Sequence, residues 1–112
     1  MYRGEIWWAN LPDLIGAELS DRRPVLIIQD DTFNQSRIST VIVAAITAKV
    51  QLAEAPGNVL LPRKVSGLPK DAAVNVSQIL TINKIFLVKR VGTLPECLQE
   101  EVDEGLRTAL YL

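Results

Sequence analysis

Arg23 and Thr47 are 24 positions apart, yet the runs they flank could bring them together. Arg23 heads the apolar run Pro24-Val25-Leu26-Ile27-Ile28, and Thr47 closes another, Val41-Ile42-Val43-Ala44-Ala45-Ile46. If residues 24–29 pair antiparallel with residues 42–47, facing positions sum to about 70 or 71 and Arg23 lies beside Thr47. A guanidinium and a hydroxyl then share one sheet rim, next to a loop carrying Glu18; a register slip of two would part them. Taken singly, Arg22 and Arg23 read as solvated loop charges. The chain has no histidine, and Cys97 is its only cysteine. That excludes thiolate metal clusters, imidazole acid–base catalysis and histidine-dependent triads. Any catalysis must use Arg, Lys, Asp, Glu, Ser, Thr or Tyr.

The elements that would hold these groups follow in order. Residues 4–10 read as a first strand whose adjacent Trp7 and Trp8 must point to opposite faces. One can fill a core; the other needs a helix, a ligand or a partner subunit. Residues 14–22 form a loop longer than a usual hairpin connection, a candidate lid. The second strand centres on Val25 to Ile28, with Pro24 removing a ladder donor at its entry. Asp30 and Asp31 begin a polar turn, with a helical turn around Phe33-Asn34. Residues 40–47 form a third strand apolar on both faces, followed by a long loop and a short edge strand at 58–61. Residues 65–71 are turn chemistry. A strand over 72–79 carries Asn75, Ser77 and Gln78 near its end, with a turn at 81–84 and a last strand at 86–92. Helical periodicity starts only at Pro95, with Leu98, Val102, Leu106 and Leu110 on one face and Thr93 and Glu96 spaced as a capping box. Gly105 inside this helix suggests that another backbone approaches there. The expected architecture is mainly β, a small closed antiparallel barrel with a C-terminal α-helix.

At 112 residues the chain is expected to be one domain. Its longest apolar run falls far short of the ~20 residues of a membrane span, and no signal core opens it, which predicts a soluble, cytosolic protein with no membrane partner. The formal charge of −1 hides a partition. Residues 95–112 hold five acids against Arg107, or −4, leaving eleven bases against eight acids, or +3, elsewhere. A basic barrel with an acidic appendage is compatible with a nucleic-acid substrate, and also with an ordinary solvated surface. The surplus of apolar strand surface favours a homodimer.

Nearly the whole chain resembles the MazF/PemK toxin family. The resemblance rests on an ordered set: Arg3-Gly4-Glu5-Ile6-Trp7, Gly16-x-Glu18, Arg23 to Gln29, Phe33-Asn34, Thr40 to Thr47, Gly67-Leu68-x-x-Asp71, Gln78-Ile79 and the terminal helix with Val102-Asp103. It implies an SH3-like barrel, a homodimer, and an endoribonuclease that cuts single-stranded RNA at short motifs without metal or other cofactor. A MazE-type antitoxin would cover the RNA groove with an extended tail. Carried over by motif, the catalytic pair falls on Arg23 and Thr47, and Glu18 and Gln78 would line the site; because a guanidinium is a poor base, Glu18 is the candidate base. Gln78, Gln29, Asn34 and Lys49 would contact substrate. The chain departs from the family pattern at Leu80, where a basic residue is usual, at Asn83, Ala17 and Ala48, and at Asp30, which would put a carboxylate near the phosphate path.

Cleavage without metal or histidine points to attack by the RNA's own 2′-hydroxyl. Arg23 can clamp phosphoryl oxygens bidentately and Thr47 can donate to the same oxygens. Two other classes stay open at this point. One is a non-catalytic nucleic-acid-binding barrel. The other is a CcdB-type gyrase poison, which acts through a terminal Trp-Gly-Ile where this chain has Leu110-Tyr111-Leu112.

Overall fold

A computed structural model of the chain describes residues 1–11 and 22–112, and the loop expected at 14–22, with Glu18, lies almost wholly outside the described residues. Strand β1 spans Glu5–Asn10, β2 Arg22–Ile27, β3 Thr40–Thr47, β4 Val59–Leu61, β5 Ala72–Asn83 and β6 Leu87–Thr93. Among the described residues α1 at Asp31–Asn34 lies between β2 and β3, α2 at Arg63–Ser66 between β4 and β5, and α3 at Glu96–Leu110 follows β6. The strands form one antiparallel sheet in the order β4-β5-β3-β2-β1-β6. The ladders leave β4 and β6 as edges, so the closed barrel expected from the sequence is a curled half-barrel among the described residues.

Curling follows from strands apolar on both faces. Along β2, Leu26 enters one cluster with Ala44, Ile46, Val74, Val102 and Leu106, while Val25 and Ile27 enter another with Val41, Val43 and Ile82. Burying alternate side chains on two faces forces the sheet to wrap one face around α3 and fold the other on itself. The adjacent tryptophans divide in the same way. Trp8 packs on the first cluster and Trp7 on the second, its indole Nε1 donating to Glu5 Oε1 at 3.0 Å. Both therefore find cover within one chain, and the pair does not by itself call for a second subunit.

β5 is the largest departure from expectation. The polar residues at 81–84 read as a turn, but Thr81 and Asn83 face Ile42 and Thr40 in a single 12-residue strand. Polar residues alternating with Ile82 are what a strand with one wet face requires. The turn comes one step later: Asn83 Oδ1 accepts from Ile85 N–H at 3.1 Å and caps a 3₁₀ turn at Lys84–Phe86. The capping box at the head of α3 is also absent. Thr93 ends β6 and accepts from Arg90 Nη1 at 3.3 Å, and the helix starts after Pro95 with no side-chain cap.

Helix α3 turns Glu96, Glu100, Glu101 and Glu104 to solvent and docks through Val102 and Leu106. Arg3 ties the docked helix to the sheet, with Nη1 2.8 Å from Asp103 Oδ1 and Nε donating to Ile28 O at 2.8 Å. Gly105 meets another backbone as its place in the helix suggested, since a Cβ there would overlap the Gly57 carbonyl. Gly57 itself has φ +80°, the left-handed region that favours glycine. No described helix is long and apolar enough to cross a membrane.

Gly105→Ala tests this packing. Alanine gains ~1 kcal/mol of helix propensity over glycine. Overlap with a backbone carbonyl costs ~1–3 kcal/mol or more, because backbone cannot rotate aside as a side chain can. The variant should unfold at lower urea concentration than the parent, and a raised midpoint would show that α3 does not sit against Gly57.

Candidate active site

β2 and β3 pair as Val25 with Ala45, Leu26 with Ala44 and Ile27 with Val43, so facing positions sum to 70. Pro24 brings no N–H to this ladder, and the pairing starts at the residue after it. Continued one step outward from Pro24, the same register sets Arg23 across from Thr47. Both line a cleft of about 560 Å³ at this rim, together with Trp8, Arg22, Lys49, Lys70, Asp71, Asn75 and Gln78. Among the described residues, four cations against one carboxylate make the cleft a place for an anion.

Each wall has a local cause. Arg22 and Arg23 are placed by β1, where they face Asn10 and Ala9. Thr47 Oγ1 accepts the Lys49 backbone N–H at 3.2 Å, which orients the hydroxyl and leaves its proton to donate elsewhere. Asp71 Oδ1 accepts from Arg63 N–H at 2.9 Å and so tethers α2, while Gly67 ends that helix at φ +82° and Leu68 enters the core. The Gly67-Leu68-x-x-Asp71 motif is therefore first of all a turn that shapes the cleft wall.

Gln78 reaches the cleft through a large bulge. Ala44 pairs with Ile79 and the next residue, Ala45, pairs with Asn75, so Val76, Ser77 and Gln78 have no partners on β3. Val76 is fully buried, and its N–H donates to Asn58 Oδ1 at 2.9 Å. Asn58 Nδ2 in turn donates to Leu52 O at 2.9 Å. Asn58 thus pins the bulge to the loop before β4, a role that an Asn after Pro-Gly gave no reason to expect. Trp8, Arg22, Lys70 and Asn75 line the cleft as well, and the clustering of Lys and Arg around the two strand ends was a usable signal for Arg22 and Lys70.

Gln29 and Asn34 are elsewhere. They lie beyond the other end of β2, buried, with Gln29 Nε2 donating to Asn34 Oδ1 at 3.0 Å and Asn34 Nδ2 donating to Gln29 O at 2.8 Å. This pair fastens α1 to the sheet and does not line the cleft that holds Arg23 and Thr47. Asp30 and Asp31 belong to the same end. Asp30 is the N-cap of α1, and hydrogen bonds from Thr32 to its carboxylate hold its pKa below the usual aspartate value. Asp31 Oδ1 accepts from Arg3 N–H at 2.6 Å. Neither carboxylate lines the cleft, so Asp30 does not stand beside an anion bound to Arg23. Leu80 pairs with Val43 and packs half-buried on the second core cluster, also outside the cleft. Of the groups singled out by sequence, Arg23, Thr47, Lys49 and Gln78 converge, Gln29 and Asn34 do not, and Glu18 lies outside the described residues.

Comparisons with known proteins bear on this geometry. The family model described as PemK-like, MazF-like toxin of type II toxin-antitoxin system matches residues 2–110. Endoribonuclease MazF2 of Mycobacterium bovis is 51% identical over 110 residues, covering 98% of this chain and 96% of the relative. Endoribonuclease EndoA of Bacillus subtilis is 38% identical over 110 residues, 98% of this chain and 94% of the relative. Among solved structures, an endoribonuclease in complex with its cognate antitoxin from Mycobacterial species superposes with TM-score 0.82 at 21% identity, covering 100% of this chain and 96% of that one. That last likeness is one of fold.

Proposed function

The chain belongs to the PemK-like, MazF-like toxin family of type II toxin–antitoxin systems, and from that membership we infer an endoribonuclease toxin held in check by a cognate antitoxin. The observation that carries the reading to particular residues is the meeting of Arg23, Thr47 and Gln78 in one cation-lined cleft. Its substrate is single-stranded RNA, cut at a short sequence motif in the cytoplasm, and the reaction uses no metal ion.

The cleft's own groups support a transesterification. The 2′-oxygen attacks the adjacent phosphorus, an O2′–P bond forms, and the P–O5′ bond breaks, leaving a cyclic phosphate and a 5′-hydroxyl. The phosphorane on the way carries two negative charges. Arg23 offers a planar fork of donors to its non-bridging oxygens, and Thr47, its lone pair occupied by Lys49 N–H, has its proton to give to one of them. Lys49 and Lys70 extend the positive surface along the strand's path. One proton must leave the 2′-hydroxyl and one must reach O5′. A guanidinium stays protonated at neutral pH and is a poor base, so Glu18, which lies outside the described residues, is assigned as the base that takes the 2′-hydroxyl proton and then returns it to O5′.

The case for a second subunit rests on a different face. An apolar groove of about 760 Å³ runs between α3 and the β3–β5 ladder, edged by Phe33, Ile38, Ile42, Leu110 and Leu112. All five of these side chains are exposed. An apolar surface of this kind on a toxin of this family supports a homodimer.

Arg23→Ala and Thr47→Ala should each lower RNA cleavage by ~10²–10³, the usual worth of a lost transition-state donor, with unchanged circular dichroism. Full activity in either folded variant removes that residue from the site. An RNA with one 2′-deoxy nucleotide 5′ of the scissile phosphate should bind and stay uncut there. Light scattering of the purified toxin at micromolar concentration should return twice the chain mass, and a monomer mass would sink the dimer.

A further inference from the structure

The β5 bulge does more than aim Gln78. Asn75, the last residue before it, lines the cleft beside Arg23 and Thr47. Its Oδ1 accepts the Ser77 backbone N–H at 3.2 Å and the Ser77 hydroxyl at 2.7 Å. A backbone N–H can only meet an acceptor, so turning the amide over would set its amino group against that N–H. Among the described residues both hydrogen bonds of this side chain end on Oδ1, and Nδ2 remains as a neutral donor of a residue that lines the cleft. Gln78 has no such tether among the described residues and can present either end of its amide.

A neutral amide adds little phosphate affinity beside four cations. Base edges are another matter, because they differ in donors and acceptors. Resting on the RNA-cleavage reading above, we propose that Asn75, locked by Ser77, is a specificity residue that selects, at one position of the bound strand, a nucleobase whose exocyclic group at pyrimidine C4 or purine C6 is a carbonyl oxygen. Uracil and guanine carry that oxygen where cytosine and adenine carry an amino group. The locked Nδ2 meets an acceptor in the first two and another donor in the second two. Single-stranded recognition suits this, since unstacked bases expose those edges.

The test uses the intact toxin with fluorescent oligo(dU) and oligo(dC), which lack the 2′-hydroxyl and differ on the edge in question. Anisotropy should show oligo(dU) bound ~10-fold more tightly than oligo(dC). Asn75→Ala should remove the preference. Asn75→Asp keeps the bond to Ser77 but turns an acceptor into the cleft, so the ratio should reverse even if both affinities fall with the added charge. Equal binding of the two strands by the parent, or a preference that survives Asn75→Ala, overturns the assignment. RNA cleavage assayed alongside separates the two readings. Cleavage without a preference for oligo(dU) fails the Asn75 assignment alone, whereas that preference without cleavage fails the nuclease reading alone.

Discussion

The pairing of β2 with β3 in a single register is the constraint on which the site depends. With facing positions summing to 70, the guanidinium at the head of one strand and the hydroxyl at the tail of the other reach the same rim. The register is held by burial on both faces. A slip of one residue would exchange Leu26 with Val25 and Ile27 between two separate cores, and a slip of two would set Arg23 across from Ala45 or Lys49 instead of Thr47. The pressure that keeps Arg23 and Thr47 aligned is therefore hydrophobic, and it acts several residues away from them.

The two ends of the sheet do opposite work. At one end Arg3, Asp31, Gln29 and Asn34 satisfy one another and the backbone, tying α1 and α3 to the sheet. At the other, Pro24 interrupts the ladder and the three-residue bulge in β5 lifts Gln78 and Asn75 into an open cleft. Bulges beside active sites commonly re-aim side chains in this way, and here the unpaired Val76 N–H that a bulge creates is taken by Asn58.

Much of this was legible in the residues because the informative strands are long, apolar and flanked by charge. The β2–β3 register, the opposite faces of Trp7 and Trp8, the turn at Asp30-Asp31 and the backbone approach at Gly105 all follow from periodicity or from a glycine out of place. Where the reading failed, local pattern competed with tertiary context. Thr81 and Asn83 look like turn residues but are the wet face of β5. Thr93 and Glu96 have capping spacing, yet Thr93 is held in β6 by the ladder with β1. Asn58 and the Asn75–Ser77 lock depend on which residues a three-residue bulge leaves unpaired, and no periodicity encodes that.

A metal-free transesterification built on Arg23 and Thr47 makes a definite statement about the ends of the cut RNA. Mass spectrometry of a short single-stranded RNA digested in excess EDTA should find a 2′,3′-cyclic phosphate on the upstream fragment and a 5′-hydroxyl on the downstream one. A 5′-phosphate on the downstream fragment, or cleavage that appears only when magnesium or manganese is restored, would contradict it.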